Sequence, residues 1–197
     1  MTNARDQYKT FWQRFWASFI DGLVFTPMSL FDKYLTAPAR GPRILISWAI
    51  LSYSTYWLYS VLLHAKRGQT VGKKAMGVKV MDSSEQRFPT LGQAFLRDAV
   101  YIVISVGSLA YFIYLILAHK YVTGNKQVNG VPGTILFYPG FGWFLTGNEQ
   151  VNGVPDMILF YAGFGWFLLE VLSMLTNPKR RAIHDFIART VVLKVES

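Results

Sequence analysis

Polar and apolar positions fall in long blocks along this chain. Arg14–Leu30 is an apolar run that opens with an arginine, carries Asp21 at its centre and is crowded by Phe11, Trp12, Phe15, Trp16, Phe19 and Phe25. It reads as a first membrane span, with Pro27 either kinking it or marking its outer end. Phe31–Arg43 holds Pro and Gly without periodicity and reads as a loop. Ile44–Leu63 is twenty residues without a charge, enough to cross a hydrocarbon layer of about 30 Å.

The character then changes. His64–Leu91 is polar and basic, with a short strand expected at Gly77–Asp82 and a turn at Asp82–Arg87. Thr90 is placed to cap a helix over Leu91–Asp98 at the membrane interface, which leads into a third span at Ala99–Ala118. A fourth span fits Met157–Leu175. Beyond it, Arg180–Ala188 suggests a short amphipathic helix, and Thr190–Lys194 a strand able to pair with Val78–Val80. The expected fold is an all-α membrane protein: a four-transmembrane-helix bundle with a small cytoplasmic β element, residues 1–197 forming one domain.

Two adjacent 23-residue stretches, Thr123–Leu145 and Thr146–Leu168, differ only at Lys126/Glu149, Gly133/Asp156, Thr134/Met157 and Pro139/Ala162. This is a tandem duplication over 123–168. Two copies are too few for a solenoid. The apolar part of the first copy is short and broken by Pro139, Gly140 and Gly142, so it is read as part of an enlarged external loop. The second copy runs on into the fourth span.

Composition agrees with lipid surroundings. Hydrophobic residues make up 52% and charged residues 16% of the 197, with a mean hydropathy of +0.25; soluble domains are about 25% charged. A net charge of +9 raises the question of nucleic acid, but its distribution answers it. Of the 20 Lys and Arg, three lie in the arm up to Arg14, seven between Lys66 and Arg97, and five in the tail from Lys179. Four spans put all three groups on one side, and the positive-inside rule makes that side cytoplasmic, with both termini there. Counting the first repeat copy as a fifth span would put the basic tail outside. There are no cysteines, three scattered histidines make no metal-ligand cluster, and the N-terminus lacks a cleavable signal pattern.

The candidate chemistry is ionisable groups at membrane depth. An acid inside a span is costly and marks a functional site by default. Arg14 and Asp21 are seven residues apart, on one helix face and about 10 Å apart along the axis. Water, an ion or a third side chain fits between them. The plainer alternative is a polar pair that fixes one helix in the bundle. Arg97 and Asp98 stand at the mouth of the third span, where they either anchor at headgroups or reach Asp21 and Arg14. Glu170 is a second intramembrane acid, read more simply as hydrogen-bonded inside the bundle. His184 is a proton shuttle near neutrality or a polar cap. Lys73 and Lys74 follow Gly68-Gln69-Thr70-Val71-Gly72, which lacks true phosphate-loop spacing, so both are assigned to anionic lipid headgroups. No nucleophile, base and orienter come together, so an enzyme is not expected, nor a cofactor or metal.

Four groups of residues together resemble one family: Arg14 with Asp21; GQTVGKKAMGVKVMD at Gly68–Asp82; LGQAFLRD at Leu91–Asp98; and RRAIHDFIARTVVLK at Arg180–Lys194. They resemble the RDD family of small prokaryotic membrane proteins, named for one arginine and two aspartates. The resemblance implies Arg14, Asp21 and Asp185 as those three residues, and the prokaryotic cytoplasmic (inner) membrane as the location. It further implies transport, with exchange of a monovalent cation such as sodium for protons suggested for some members. Arg14 would then sit between two carboxylates, either poised for exchange or pinning the tail to the first span. The competing expectation is a non-transporting membrane subunit that binds a partner protein or lipid. A homo-oligomer is expected because four helices make a thin bundle.

Overall fold

A computed structural model describes residues 6–35, 41–117 and 154–195. A 3-10 turn at Asp6–Tyr8 leads into α1 (Phe11–Val24) and α2 (Thr26–Leu35). Then come α3 (Pro42–Arg67), α4 (Val71–Ala75), β1 (Val78–Asp82), α5 (Leu91–Leu117), α6 (Val154–Thr176), α7 (Ile183–Ile187) and β2 (Thr190–Lys194). The protein is thus mostly helical with a small two-stranded sheet.

The first apolar run is not one helix. Pro27 cannot continue α1, because it has no N–H and its ring would clash with the preceding turn. It sits instead in the first turn of α2, where no N–H is needed, and Phe25 closes α1 by bonding back to the Gly22 carbonyl at 3.0 Å. Arg14–Leu30 therefore divides at Phe25. The stretch Phe31–Arg43, expected as a loop, gives Phe31–Leu35 to α2 and Pro42 and Arg43 to α3. At 14 residues α1 is about 21 Å long, short of a bilayer on its own.

Helix α3 contains the expected span Ile44–Leu63. It starts on Pro42 and stops at Gly68, whose φ of +66° only glycine adopts cheaply. His64, Lys66 and Arg67 in its last turn suit the negative end of the helix dipole. At α5 the Thr90 hydroxyl accepts the Gln93 N–H (3.3 Å), while the Gln93 side chain accepts the Thr90 N–H (2.9 Å), a reciprocal capping box. From there the helix runs unbroken to Leu117. The separate interfacial helix expected over Leu91–Asp98 is simply its first two turns, since no proline or second cap interrupts it.

The strands pair antiparallel with Val78 opposite Lys194, Val80 opposite Val192 and Asp82 opposite Thr190, the expected partnership. Val78, Val80 and Val192 are fully buried and form the core beneath the sheet. Helices α3 and α5 pack through Leu45 and Ala49 against Phe112 and Ile116, and through Val61 against Ala94 and Ile102.

Among the described residues one helical segment, Leu91–Tyr114, is both long and apolar enough to cross a membrane, and Tyr161–Thr176 is apolar but shorter. Helix α3 has the length, at 26 residues, but its Ser, Thr, Tyr and Trp dilute its hydropathy. The outward faces are oily nonetheless: Leu51, Leu58 and Leu62 on α3, Val103, Val106 and Leu117 on α5, and Leu168, Leu169 and Leu172 on α6 are exposed. Arg97, Asp98, Ser105, Ser108 and Glu170, from α5 and α6, are buried. The first copy of the 123–168 duplication lies outside the described residues; of the second, Val154–Leu168 opens α6.

Candidate functional site

Asp21 is 2% exposed in the last turn of α1, and three donors converge on it. The Thr70 hydroxyl reaches Oδ2 at 2.6 Å, while the Gly72 N–H (2.7 Å) and the Tyr59 hydroxyl (2.8 Å) reach Oδ1. Tyr59 also accepts the Val71 N–H at 2.9 Å, so the start of α4 is sewn to both α1 and α3. The close approach depends on Gly72. A Cβ there would lie 2.0 Å from the Ala17 carbonyl oxygen and 2.9 Å from Asp21 Cγ. Thr70 also caps α4 by accepting the Lys73 N–H at 3.3 Å.

Asp185 is fully buried at α7 and is shared by two arginines. Its Oδ2 accepts Arg14 Nη1 at 2.6 Å and the Ala182 N–H at 3.0 Å; its Oδ1 accepts Arg97 Nη1 and lies 3.3 Å from the Thr190 hydroxyl. Arg97 also donates to that hydroxyl at 3.0 Å. Burial pushes the Asp185 carboxyl up, but the Arg14 and Arg97 guanidiniums outweigh it and hold the group well below the usual carboxylate range. The arrangement expected from sequence, Arg14 between two carboxylates, is reversed. One carboxylate sits between two guanidiniums, and Asp21 is served by neutral donors.

The remaining candidates meet nearby. His184 Nδ1 pairs with Glu170 Oε1, Tyr101 donates to Glu170 Oε2 at 3.1 Å, and His184 Nε2 lies 3.6 Å from Asp185 Oδ1. His184, Glu170 and Tyr101 border a cavity of about 110 Å³ also lined by Arg14, Asp21, Ser60, His64, Lys73, Arg97 and Asp98. Lys74 is exposed, whereas Lys73 is half-buried on the cavity wall. Burial, aided by Arg97, lowers its amine to about 8. Lys73 is therefore expected to acetylate in preference to the other lysines when the folded protein is treated at pH 8, where much of its amine is neutral. Peptide mass spectrometry reads this directly, and uniform labelling would contradict it.

Among the described residues no group of three His, Asp or Glu is arranged to hold a metal ion. Sequence reasoning missed Tyr59, Thr70 and Gly72 as the cradle of Asp21. It also missed His64, which is 1% exposed and 3.2 Å from the Ser60 hydroxyl. The i, i+4 spacing of Ser60 and His64 at the end of an apolar run was the available signal.

No curated protein and no solved structure matches the chain. A family model described as RDD family matches residues 8–189, a span that includes Arg14, Asp21 and Asp185. With nearly its whole length matched, the chain belongs to the membrane-associated RDD family.

Proposed function

We propose that this chain is a multi-pass protein of the prokaryotic cytoplasmic membrane that exchanges a monovalent cation for protons. In this reading α1 with α2, α3, α5 and α6 supply four spans, the apolar outer faces of α3, α5 and α6 meet lipid, and Lys74 meets anionic headgroups. The basic arm, the segment around α4 and β1, and the tail then share the cytoplasmic side.

The observation that carries the proposal is the cavity, whose wall brings three carboxylates, Asp21, Asp98 and Glu170, beside Arg14, Lys73 and Arg97. Ionisable groups gathered inside a membrane bundle are costly and mark ion or proton pathways. Asp21 is saturated by donors and Glu170 is paired, but Asp98 Oδ2 has no partner among the described residues, so Asp98 is the acid proposed for exchange. In proteoliposomes carrying a pH-sensitive dye, Asp98→Asn is expected to lower cation-driven proton flux at least tenfold. A variant as fast as the parent would end the exchange reading.

A second reading has its own support. Asp21 and Asp185 join α1 to α4, and α1 and α5 to α7, which is what a rigid, non-transporting subunit requires. It predicts no flux from the parent and co-purification of a protein or lipid partner.

A further inference from the structure

Two buried acids, Asp185 and Glu170, are balanced in different ways. Asp185 is held by Arg14 and Arg97, and a guanidinium does not give up its charge in a protein. Glu170 bonds to His184 through Oε1 and to Tyr101 through Oε2, the latter at 3.1 Å. Neither partner is permanently charged. Histidine is the side chain that ordinarily gains and loses a proton between about pH 5 and 8. The charges around Asp185 are therefore fixed, while the proton between His184 and Glu170 is free to move.

Position gives this pair an inner and an outer member. Glu170 lies six residues before the end of α6, about 9 Å into the helix. His184 is on α7, in the tail that the exchange reading puts on the cytoplasmic side. Its side chain is 15% exposed, against 8% for Glu170 and none for Asp185. Around the ring stand Glu170 of α6 and Asp185 of α7, whose Oδ1 is 3.6 Å from Nε2. Arg14 of α1 and Arg97 of α5 reach that aspartate, and His64 of α3 and Asp98 of α5 stand farther off.

Resting on the exchange reading, we propose that His184 and Glu170 form its cytoplasmic proton port. Neutral His184, with its Nδ1–H on Glu170 Oε1, takes a proton from water at Nε2. It then gives the Nδ1 proton to Oε1. The ring is left neutral with Nε2–H, and Glu170 is left as the uncharged acid. One proton has passed from water to Glu170, and no other bond has changed. The Tyr101 hydroxyl holds Oε2, so Oε1 stays turned to the ring. Glu170 and Asp98 both border the cavity, so the proton arrives beside the acid proposed for exchange. Chains of histidine and acidic side chains within membrane helices serve as proton relays.

A plain tether between α6 and α7 would need only the hydrogen bond. A port needs a side chain that takes up and releases a proton. Glutamine at position 184 separates the two, because its amide donates as the ring does but does not titrate.

The test uses the full chain in proteoliposomes with two readouts. Cation-driven proton flux, run with sodium and with potassium and followed by a pH-sensitive dye, needs the port. Exchange of radiolabelled for unlabelled cation at equal pH on both sides moves no net proton and does not need it. His184→Gln and Glu170→Gln are each expected to lower the proton flux about tenfold or more. Both should leave cation–cation exchange at the parent's rate, which also shows that they fold. Should one variant lose both activities, the other decides. Either variant passing protons as fast as the parent would overturn the port and leave the exchange reading standing. An equal fall in both readouts for both variants would also overturn it, and would mark a tether. A parent without cation-driven proton flux ends the exchange reading, and the port with it.

Discussion

Asp185→Ala is expected to cost about 3–5 kcal/mol of stability, the range for removing one side of a buried ion pair. The carboxylate is fully buried and is the shared acceptor of Arg14 and Arg97, themselves 9% and 4% exposed. Without it two guanidiniums face each other with their counter-charge gone, and the Ala182 N–H loses its acceptor. Replacing Arg97 by Met in the Asp185→Ala background should recover part of the loss, because one unpaired charge leaves with its partner. No recovery would mean that Asp185 matters for packing rather than charge. The sign with pH is also fixed. The folded carboxyl lies well below its ordinary value, so its contribution is fully present above about pH 4–5 and fades as pH falls through the folded value. Urea unfolding of the parent should therefore hold down to about pH 4 and weaken below it, while Asp185→Ala should lack that share of the acid loss.

Gly72→Ala should be nearly as damaging, at about 2–6 kcal/mol. Its Cβ would fall 2.0 Å from the Ala17 carbonyl oxygen and 2.8 Å from the Ala17 carbonyl carbon. Both are helix backbone, which cannot swing away. Helix α4 has to withdraw, and overpacking of this kind costs about 1–3 kcal/mol. Withdrawal also carries off the Gly72 N–H and the Thr70 hydroxyl, leaving Asp21 short of two of its three donors at about 1–3 kcal/mol more. Thermal unfolding measures the total. Adding Ala17→Gly should not rescue it, since the obstacle at position 17 is the carbonyl and not the methyl group.

Much of this was legible along the chain because it is local. Gly77–Asp82 and Thr190–Lys194 read as strands able to pair, and Thr90 marked the start of a helix at Leu91. Arg14 and Asp21 stood out as charges inside an apolar run. Two features were hidden by ambiguity: Pro27 fits a kinked helix as well as a new one, and the loop-like composition of Phe31–Leu35 gave no sign that α2 continues. The rest of the site was hidden by distance. The resemblance brought Arg14 to Asp185 across 171 positions, but nothing near His184 signals that Arg97, 88 positions away, shares the same carboxylate. Helix α4 is five residues long, too short for a periodicity that would show which face docks on Asp21.

The 171-residue separation between Arg14 and Asp185 has a consequence for the order of assembly. At about 5–20 residues per second, the ribosome makes the aspartate roughly 10–30 s after the arginine. Until then Arg14, and Arg97 once it is made about halfway through, lack the carboxylate they share, so the first helices cannot settle around them in their final arrangement. Closure waits for the last stretch of translation, when the tail delivers one acid to two waiting bases and β2 zips onto β1 beside them.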